Sequence, residues 1–213
     1  MRFTKLGHSC VRLEKGGAVL VIDPGTWSDA PAALAGAAAV LVTHEHPDHL
    51  DAEAIRAALR ADPDLSLWAN PSVAGQFREF GDRVHEVSHG DALEVAGFSV
   101  HVYGEEHALI HKDIPLVINN GFLVDGDLFH PGDSFTIPED PVSTLLVPVS
   151  APWLKAGEMI DYFRAVGPAR GYAIHDAILS DNGLGLFTRM LTVAAAPSGA
   201  PVARWEPGTS VDL

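Results

Sequence analysis

The alternation of apolar and polar positions divides the chain into short strands first, then strands interleaved with helices. Arg2–Leu6, Cys10–Glu14 and Ala18–Ile22 read as strands, with Lys15-Gly16-Gly17 as a hairpin turn signal between the last two. Ala39–Thr43 (AVLVT) is an unbroken apolar, β-branched run, the pattern of a strand covered on both faces. Asp51–Ala61 sets Ala54, Ile55, Ala58 and Leu59 on one side and charges opposite, which predicts an amphipathic helix. A second helix is expected over Asn70–Phe80, opened by an Asn cap with Pro71 in its first turn.

Strand patterns resume at Asp91–Val95 and Phe98–Tyr103 around a turn at Gly97. They continue at Leu116–Val124 and Asp127–Phe129 around Asp125-Gly126. Leu145–Val149 is a further apolar strand, Leu154–Val166 an amphipathic helix, Gly171–Ile174 a strand and Leu184–Ala195 a last helix. No Pro/Ser-rich linker, low-complexity stretch or repeat divides these elements. The expectation is one domain, residues 1–213, of layered sheets faced by helices.

Composition narrows the function classes. An apolar fraction of 47% with 20% charged residues is that of a soluble globular protein. No segment approaches the roughly 18 apolar residues that span a bilayer, and the N-terminal residues lack a signal peptide's apolar core. A lone cysteine, Cys10, cannot close an internal disulfide, so a reducing cytoplasm is expected. A net charge of −14 with Lys and Arg scattered singly argues against nucleic acid or anionic membranes as partners. A small-molecule substrate fits better, and the oligomeric state is not legible.

The eleven histidines matter through their positions. Directly after the AVLVT strand stands Thr43-His44-Glu45-His46-Pro47-Asp48-His49. Extended backbone puts residues i and i+2 on one face, so His44 and His46 point the same way. Pro47 cannot continue the strand's hydrogen bonding and turns the chain towards the next helix, carrying Asp48 and His49 to a second position nearby. One short segment can therefore offer two ligands to each of two adjacent cations. Imidazole with carboxylate suits zinc, with manganese or iron as alternatives.

This segment resembles the His-x-His-x-Asp-His signature of the metallo-β-lactamase fold superfamily. Leu6-Gly7-His8-Ser9-Cys10 and Val21-Ile22-Asp23-Pro24 look like the opening of its small branch related to L-ascorbate-phosphate lactonase. Phe129-His130-Pro131-Gly132-Asp133-Ser134 and Tyr172-Ala173-Ile174-His175-Asp176 resemble that branch's Gly-Asp-Ser/Thr element and final strand-end histidine. The resemblance implies an α/β fold, a four-layer αββα sandwich of two mixed sheets flanked by helices. It assigns His44, His46 and His107 to one metal, Asp48, His49 and His175 to the other, and Asp133 as a bridge. His101 and His111 compete with His107, which is preferred because a ligand belongs in a loop just past a strand end.

Other positions carry two readings each. Asp23 either initiates a turn or accepts the N–H of a ligand histidine. His8 is either a proton donor facing the metals or a surface-turn histidine, and His130 is read as structural. Trp153 either forms an apolar lip over substrate or packs on its own domain. Two cations would lower the pKa of a water held between them towards 7 from about 15.7, and Asp48 would orient the resulting hydroxide and relay its proton. The expected function is metal-dependent hydrolysis of a small ester, lactone or phosphoester. The alternatives are a phosphodiesterase or nuclease of the same fold, and a non-catalytic metal-binding protein. A cysteine replaces the bridging aspartate in several β-lactamases of this fold, so Asp133 disfavours antibiotic hydrolysis.

Overall fold

Two seven-stranded sheets lie face to face in the computed structural model, which describes residues 1–213. The first sheet is built from β1 (Arg2–Gly7), β2 (Cys10–Lys15), β3 (Ala18–Ile22), β4 (Ala39–Val42), β5 (Ser66–Ala69) and β6 (Val84–Glu86) in sequential order. The second runs from β7 (Ala92–Val95), β8 (Phe98–Tyr103), β9 (Gly121–Val124) and β10 (Leu128–His130) to β11 (Thr144–Pro148), β12 (Arg170–Ile174) and β13 (Val202–Ala203). The last strand, β14 (Ser210–Asp212), returns to the first sheet beside β1. Each sheet starts as an antiparallel meander and becomes parallel, across β3–β6 in one and β10–β13 in the other.

Parallel pairing needs crossovers, and the helices supply them. The helices α1 (Ala30–Leu34), α2 (Ala52–Ala61) and α3 (Pro71–Ala74), the last followed by a 3₁₀ helix over Gly75–Arg83, cover the first sheet. The helices α4 (Ala156–Val166) and α5 (Asp181–Ala195) cover the second. The order helix, sheet, sheet, helix is the expected αββα sandwich. Strand β4 explains the reading of its sequence: Ala39 and Leu41 enter the core between the sheets, while Val40 and Val42 enter the core beneath the helices.

Several expectations change. The helix over Asn70–Phe80 is one α-turn, capped by the Asn70 side chain, and then 3₁₀ with non-helical backbone at Phe77 and Gly81. The strand expected over Leu116–Val124 begins only at Gly121. Asn119 and Asn120 hold the preceding residues away from the sheet: the Asn119 amide reaches the Pro131 carbonyl, and the Asn120 amide reaches that of Val87. The short elements α1, β5, β6, β13 and β14 had no clear pattern in the sequence.

Candidate metal centre

The chemistry collects outside the carboxyl ends of the parallel strands, where an open α/β layer leaves a crevice. Asp23 follows β3, residues 43–49 follow β4, Asp133 follows β10, Ser150 follows β11 and His175 follows β12. His107 comes from the β8–β9 loop and His8 from the β1–β2 turn. Residues from both sheets therefore face one another. The turn after β4 is closed by the His49 and Leu50 amides, which both donate to the His46 carbonyl at 3.0 and 2.9 Å. Asp51 then caps α2 by accepting from the Ala54 amide at 3.0 Å.

Two nests of ligand atoms result. His44, His46 and His107 have ligand atoms within 4.8 Å of one another, and so do His8, Asp48, His49 and His175. Asp133 stands between them. Its Oδ1 is 3.1 Å from His49 Nε2, and its Oδ2 is 3.1 Å from His175 Nε2 and 3.4 Å from His107 Nε2. Asp48 Oδ2 lies 3.4 Å from His175 Nε2, and its side chain is 15% exposed, open to whatever approaches.

Outer contacts fix which nitrogen of each ring faces inward. His49 Nδ1 donates to Asp23 Oδ2 at 2.6 Å, His107 Nδ1 to the Ala108 carbonyl at 2.6 Å, and His175 Nδ1 to the Ser150 carbonyl. His44 Nδ1 is 2.9 Å from the Thr43 hydroxyl, which itself donates to Asp23 Oδ2 at 2.8 Å. In its neutral form each of these rings directs an Nε2 lone pair at the centre, the arrangement that raises imidazole basicity towards a metal. His44 Nε2 and His46 Nδ1 lie 3.1 Å apart. With Nδ1 of His44 protonated, His46 Nδ1–H can donate to the His44 Nε2 lone pair, and with the other His46 tautomer both lone pairs are open to a cation.

The donor set fits a metal by a direct test. The buried side-chain atoms without a hydrogen-bond partner are Ser9 Oγ, His49 Nε2, His107 Nε2, His175 Nε2 and Asp133 Oδ1, and four of those five belong to this cluster. Orphaned buried polar atoms cost stability unless something satisfies them. Protonation mirrors the same demand. Burial lowers the His175 pKa, yet the Asp133 and Asp48 carboxylates outweigh it and hold the group up at about 9. Burial likewise opposes charge on His49, and Asp133 with Asp23 still hold it well above the ordinary value. Burial would raise the Asp133 pKa, but His49 and His175 keep it well below the carboxylate range. The cluster's carboxylates require positive charge beside them.

Backbone strain concentrates here too. Of five non-glycine residues with positive φ, three are His8 (45°), Asp23 (52°) and His175 (57°). They are held by backbone bonds: the His175 amide donates to the His8 carbonyl at 3.1 Å, and the Asp23 amide to that of Leu41 at 3.0 Å.

All seven expected ligands meet. The competitors of His107 do not: His101 pairs with Asp140 at 2.8 Å on the surface, and His111 is exposed. Asp23 is no mere turn residue, since its carboxylate receives His49, the Thr43 hydroxyl and the Thr43 amide. His8 is buried rather than a surface-turn histidine. Its Nδ1 accepts from the Ala177 amide at 3.2 Å, leaving Nε2–H to donate to Asp48 Oδ2 at 3.2 Å, and burial pushes its pKa down to about 4. His130 is structural, donating to the Ser9 carbonyl at 2.9 Å and accepting from the Gly132 amide at 3.1 Å. Of the two readings of Trp153 the apolar lip needs correction and packing on its own domain holds: the ring is 8% exposed, packs against Phe135, and donates its indole N–H to Asp133 Oδ2 at 2.9 Å. Its polar tip serves the Asp133 carboxylate, so it is not an open lip. Thr43, Asn119 and Gly25 were missed, because the partners that reveal their roles, Asp23 for Thr43 and backbone atoms for the other two, are distant along the chain.

A family model described as a beta-lactamase superfamily domain matches residues 2–175. Protein Rv0786c of Mycobacterium tuberculosis is 40% identical over 198 residues, spanning 90% of this chain and 92% of that protein. A UPF0173 metal-dependent hydrolase of Chelativorans sp. is 29% identical over 153 residues, covering 63% of each chain. Igni18, a metallo hydrolase from the archaeon Ignicoccus hospitalis, shares the fold with a TM-score of 0.74 at 18% identity, over 99% of this chain and 97% of its own. With its histidines and aspartates gathered at the crevice that this fold provides, the chain belongs to the beta-lactamase superfamily, as a small metal-dependent hydrolase of the metallo-β-lactamase fold.

Proposed function

We propose that the chain hydrolyses a small ester, lactone or phosphoester at a dinuclear centre, with zinc favoured over manganese or iron. The observation that carries this reading is the pair of ligand nests beside Asp133, in which Nε2 of His49, His107 and His175 and Oδ1 of Asp133 have no hydrogen-bond partner. His44, His46 and His107 would hold one cation, Asp48, His49 and His175 the other, with Asp133 contributing an oxygen to each. Three imidazoles in one nest and a mixed set in the other, without thiolate, suit zinc. Cys10 is buried away from both nests.

When bound, such a pair of cations supplies Lewis-acid stabilisation and a water acidic enough to attack at neutral pH. The chain's own groups do the rest. Asp48, the most open of the ligands in its nest, receives a proton at Oδ2 and returns it to the leaving group. His8 fixes the Asp48 carboxylate through Nε2–H; with its pKa pushed down to about 4 it acts as a neutral donor at pH 7. Trp153 keeps the Asp133 carboxylate from rotating, and the Asn119 side chain, which accepts from the Asp133 backbone amide at 2.9 Å, fixes the backbone that carries it. A lactone is favoured within this class by the motif resemblance alone, which is an analogy.

Elemental analysis of unsupplemented protein, with an ester, lactone and phosphodiester screen, tests the reading. About two equivalents of metal per chain are expected. His46→Ala and Asp133→Ala should lose metal and hydrolysis together while keeping the far-ultraviolet circular dichroism of the fold. Full activity in verified metal-free protein would refute it.

A further inference from the structure

Nine large apolar side chains are exposed, and seven of them sit in loops at the end of the sheets that carries the metal centre. Single exposed apolar residues are ordinary, but three of these, Trp27, Leu109 and Ile178, adjoin the metal-ligand cluster itself, whereas Ile118 lies beside Pro71 and His89 and Ile137 beside Tyr162 and Asp161. Trp27, 48% exposed, lies in the β3–α1 loop with its ring 4.9 Å from that of His8. Ile178, 49% exposed, directly follows Ala177, whose amide donates to His8. Leu109, 62% exposed, stands two residues beyond His107, and the intervening Ala108 amide donates to the Asp133 carbonyl. Ile114, Leu116 and Ile118 are exposed along the same loop, and Ile137 lies in the loop that follows Asp133.

Charge points the same way. The loops that bear ligands contain only two basic residues, Lys112 and Lys155, and these donate to Asp113 at 2.7 Å and Glu158 at 2.8 Å. No free guanidinium or ammonium stands at the mouth to clasp a phosphate, in a chain whose net charge is already −14.

We propose that the substrate is uncharged and apolar, its acyl or alkyl portion lying across Trp27, Leu109 and Ile178 while the scissile bond reaches Asp48 and Asp133. This rests on the hydrolase reading and narrows it to hydrophobic esters or lactones, away from phosphorylated ones. Each methylene removed from water on this rim tightens binding by about two- to fourfold.

Hydroxamates of graded chain length separate the tail's contribution from turnover. Isothermal titration of zinc-loaded protein should give octanohydroxamate at least tenfold tighter than acetohydroxamate. Leu109→Ser and Ile178→Ser should each shrink that ratio by about threefold, whereas Val193→Ser, equally exposed on α5, should not. In kcat/KM, p-nitrophenyl octanoate should exceed the acetate by a similar factor. Ester hydrolysis with equal hydroxamate affinities overturns the apolar rim and leaves the hydrolase reading standing. A preference for p-nitrophenyl phosphate over the octanoate also overturns the rim. A wild-type dimer that Leu109→Ser dissociates, with no chain-length dependence, makes the rim a self-association surface and overturns it again. If neither hydroxamate binds and neither ester is cleaved, both readings fall.

Discussion

Gly25 touches no substrate and ligates nothing, yet replacing it should disable half of the centre. The residue lies against the turn that presents Asp48 and His49. A Cβ built at Gly25 collides with the Asp48 carbonyl and comes to 2.5 Å from the His49 amide nitrogen, where real Cβ atoms essentially never approach within 3.0 Å. These obstacles are backbone atoms, so no side-chain rotation relieves them. In Gly25→Ala the 48–49 segment must retreat by about 1 Å, several times the roughly 0.2 Å tolerance of a metal–ligand bond. The segment is also tethered, since the Thr26 amide donates to the Pro47 carbonyl at 2.8 Å and the Asp51 amide to that of Pro24 at 2.9 Å. The strain should cost about 1–3 kcal/mol of stability. A displacement of this size should lower kcat/KM about a hundredfold. Metal content should fall from the proposed two equivalents towards one, because only the Asp48, His49 and His175 nest is disturbed. Elemental analysis, a thermal melt and steady-state kinetics on one preparation read all three. A Gly25→Ala protein that holds both metals and turns over at the parent rate would show that this contact does not set the ligand geometry.

Three further outcomes are expected. Asp23→Asn removes the charge that accepts the His49 proton and places an amide against donors, so metal affinity should fall about 10- to 100-fold with little change in fold; a competition titration with a chromophoric chelator decides it. For metal-free protein, His175 has a folded pKa of about 9 against an ordinary 6.5, so its contribution to stability is complete below pH 6.5 and disappears as pH rises through 9. Melting temperature should therefore decline over that window without metal, proton release on metal addition should be larger at pH 7 than at pH 9.5, and a flat profile would contradict the assignment. Lys5 is buried, and its Nζ donates to Asp176 Oδ2 at 2.6 Å, beside His175. Lys5→Met leaves Asp176 with Arg204 as its sole ionic partner and should cost about 3 kcal/mol in a urea melt, more than Lys5→Met combined with Asp176→Leu.

What could be read in advance divides along physical lines. β4 was legible because both its faces are buried, which leaves no polar position to confuse the run. The four ligands after it were legible because they are neighbours along the chain. Leu116-Val117-Ile118 misled for the opposite reason. Apolar side chains left on an open loop produce the same local pattern as those in a sheet, and only Asn119 and Asn120 reveal which occurs. The elements β5, β6, β13 and β14 are two to four residues long and take their conformation from the strand beside them rather than from their own periodicity. His107 was preferred to His101 by its place past a strand end, but His111 lies in the same loop, and only the fold, which leaves His111 exposed, sets the two apart. The carbonyls of Ala108 and Ser150 that fix ring orientation carry no sequence signature at all. Trp153 was noticed, but its partner, twenty positions away, is what defines its role.

The proposed ligands come from both halves of the sandwich: His44, His46, Asp48 and His49 from the first sheet, His107, Asp133 and His175 from the second. A cation held by Asp133 would therefore rivet the two sheets together. A half-folded chain would lack the complete coordination, so capture of metal would be postponed until the sheets have closed on each other. Once loaded, opening the sandwich requires surrendering the ions. Saturation at a hundred times Kd would add about 2.7 kcal/mol per site, and the loaded protein should resist proteolysis far longer than the stripped one.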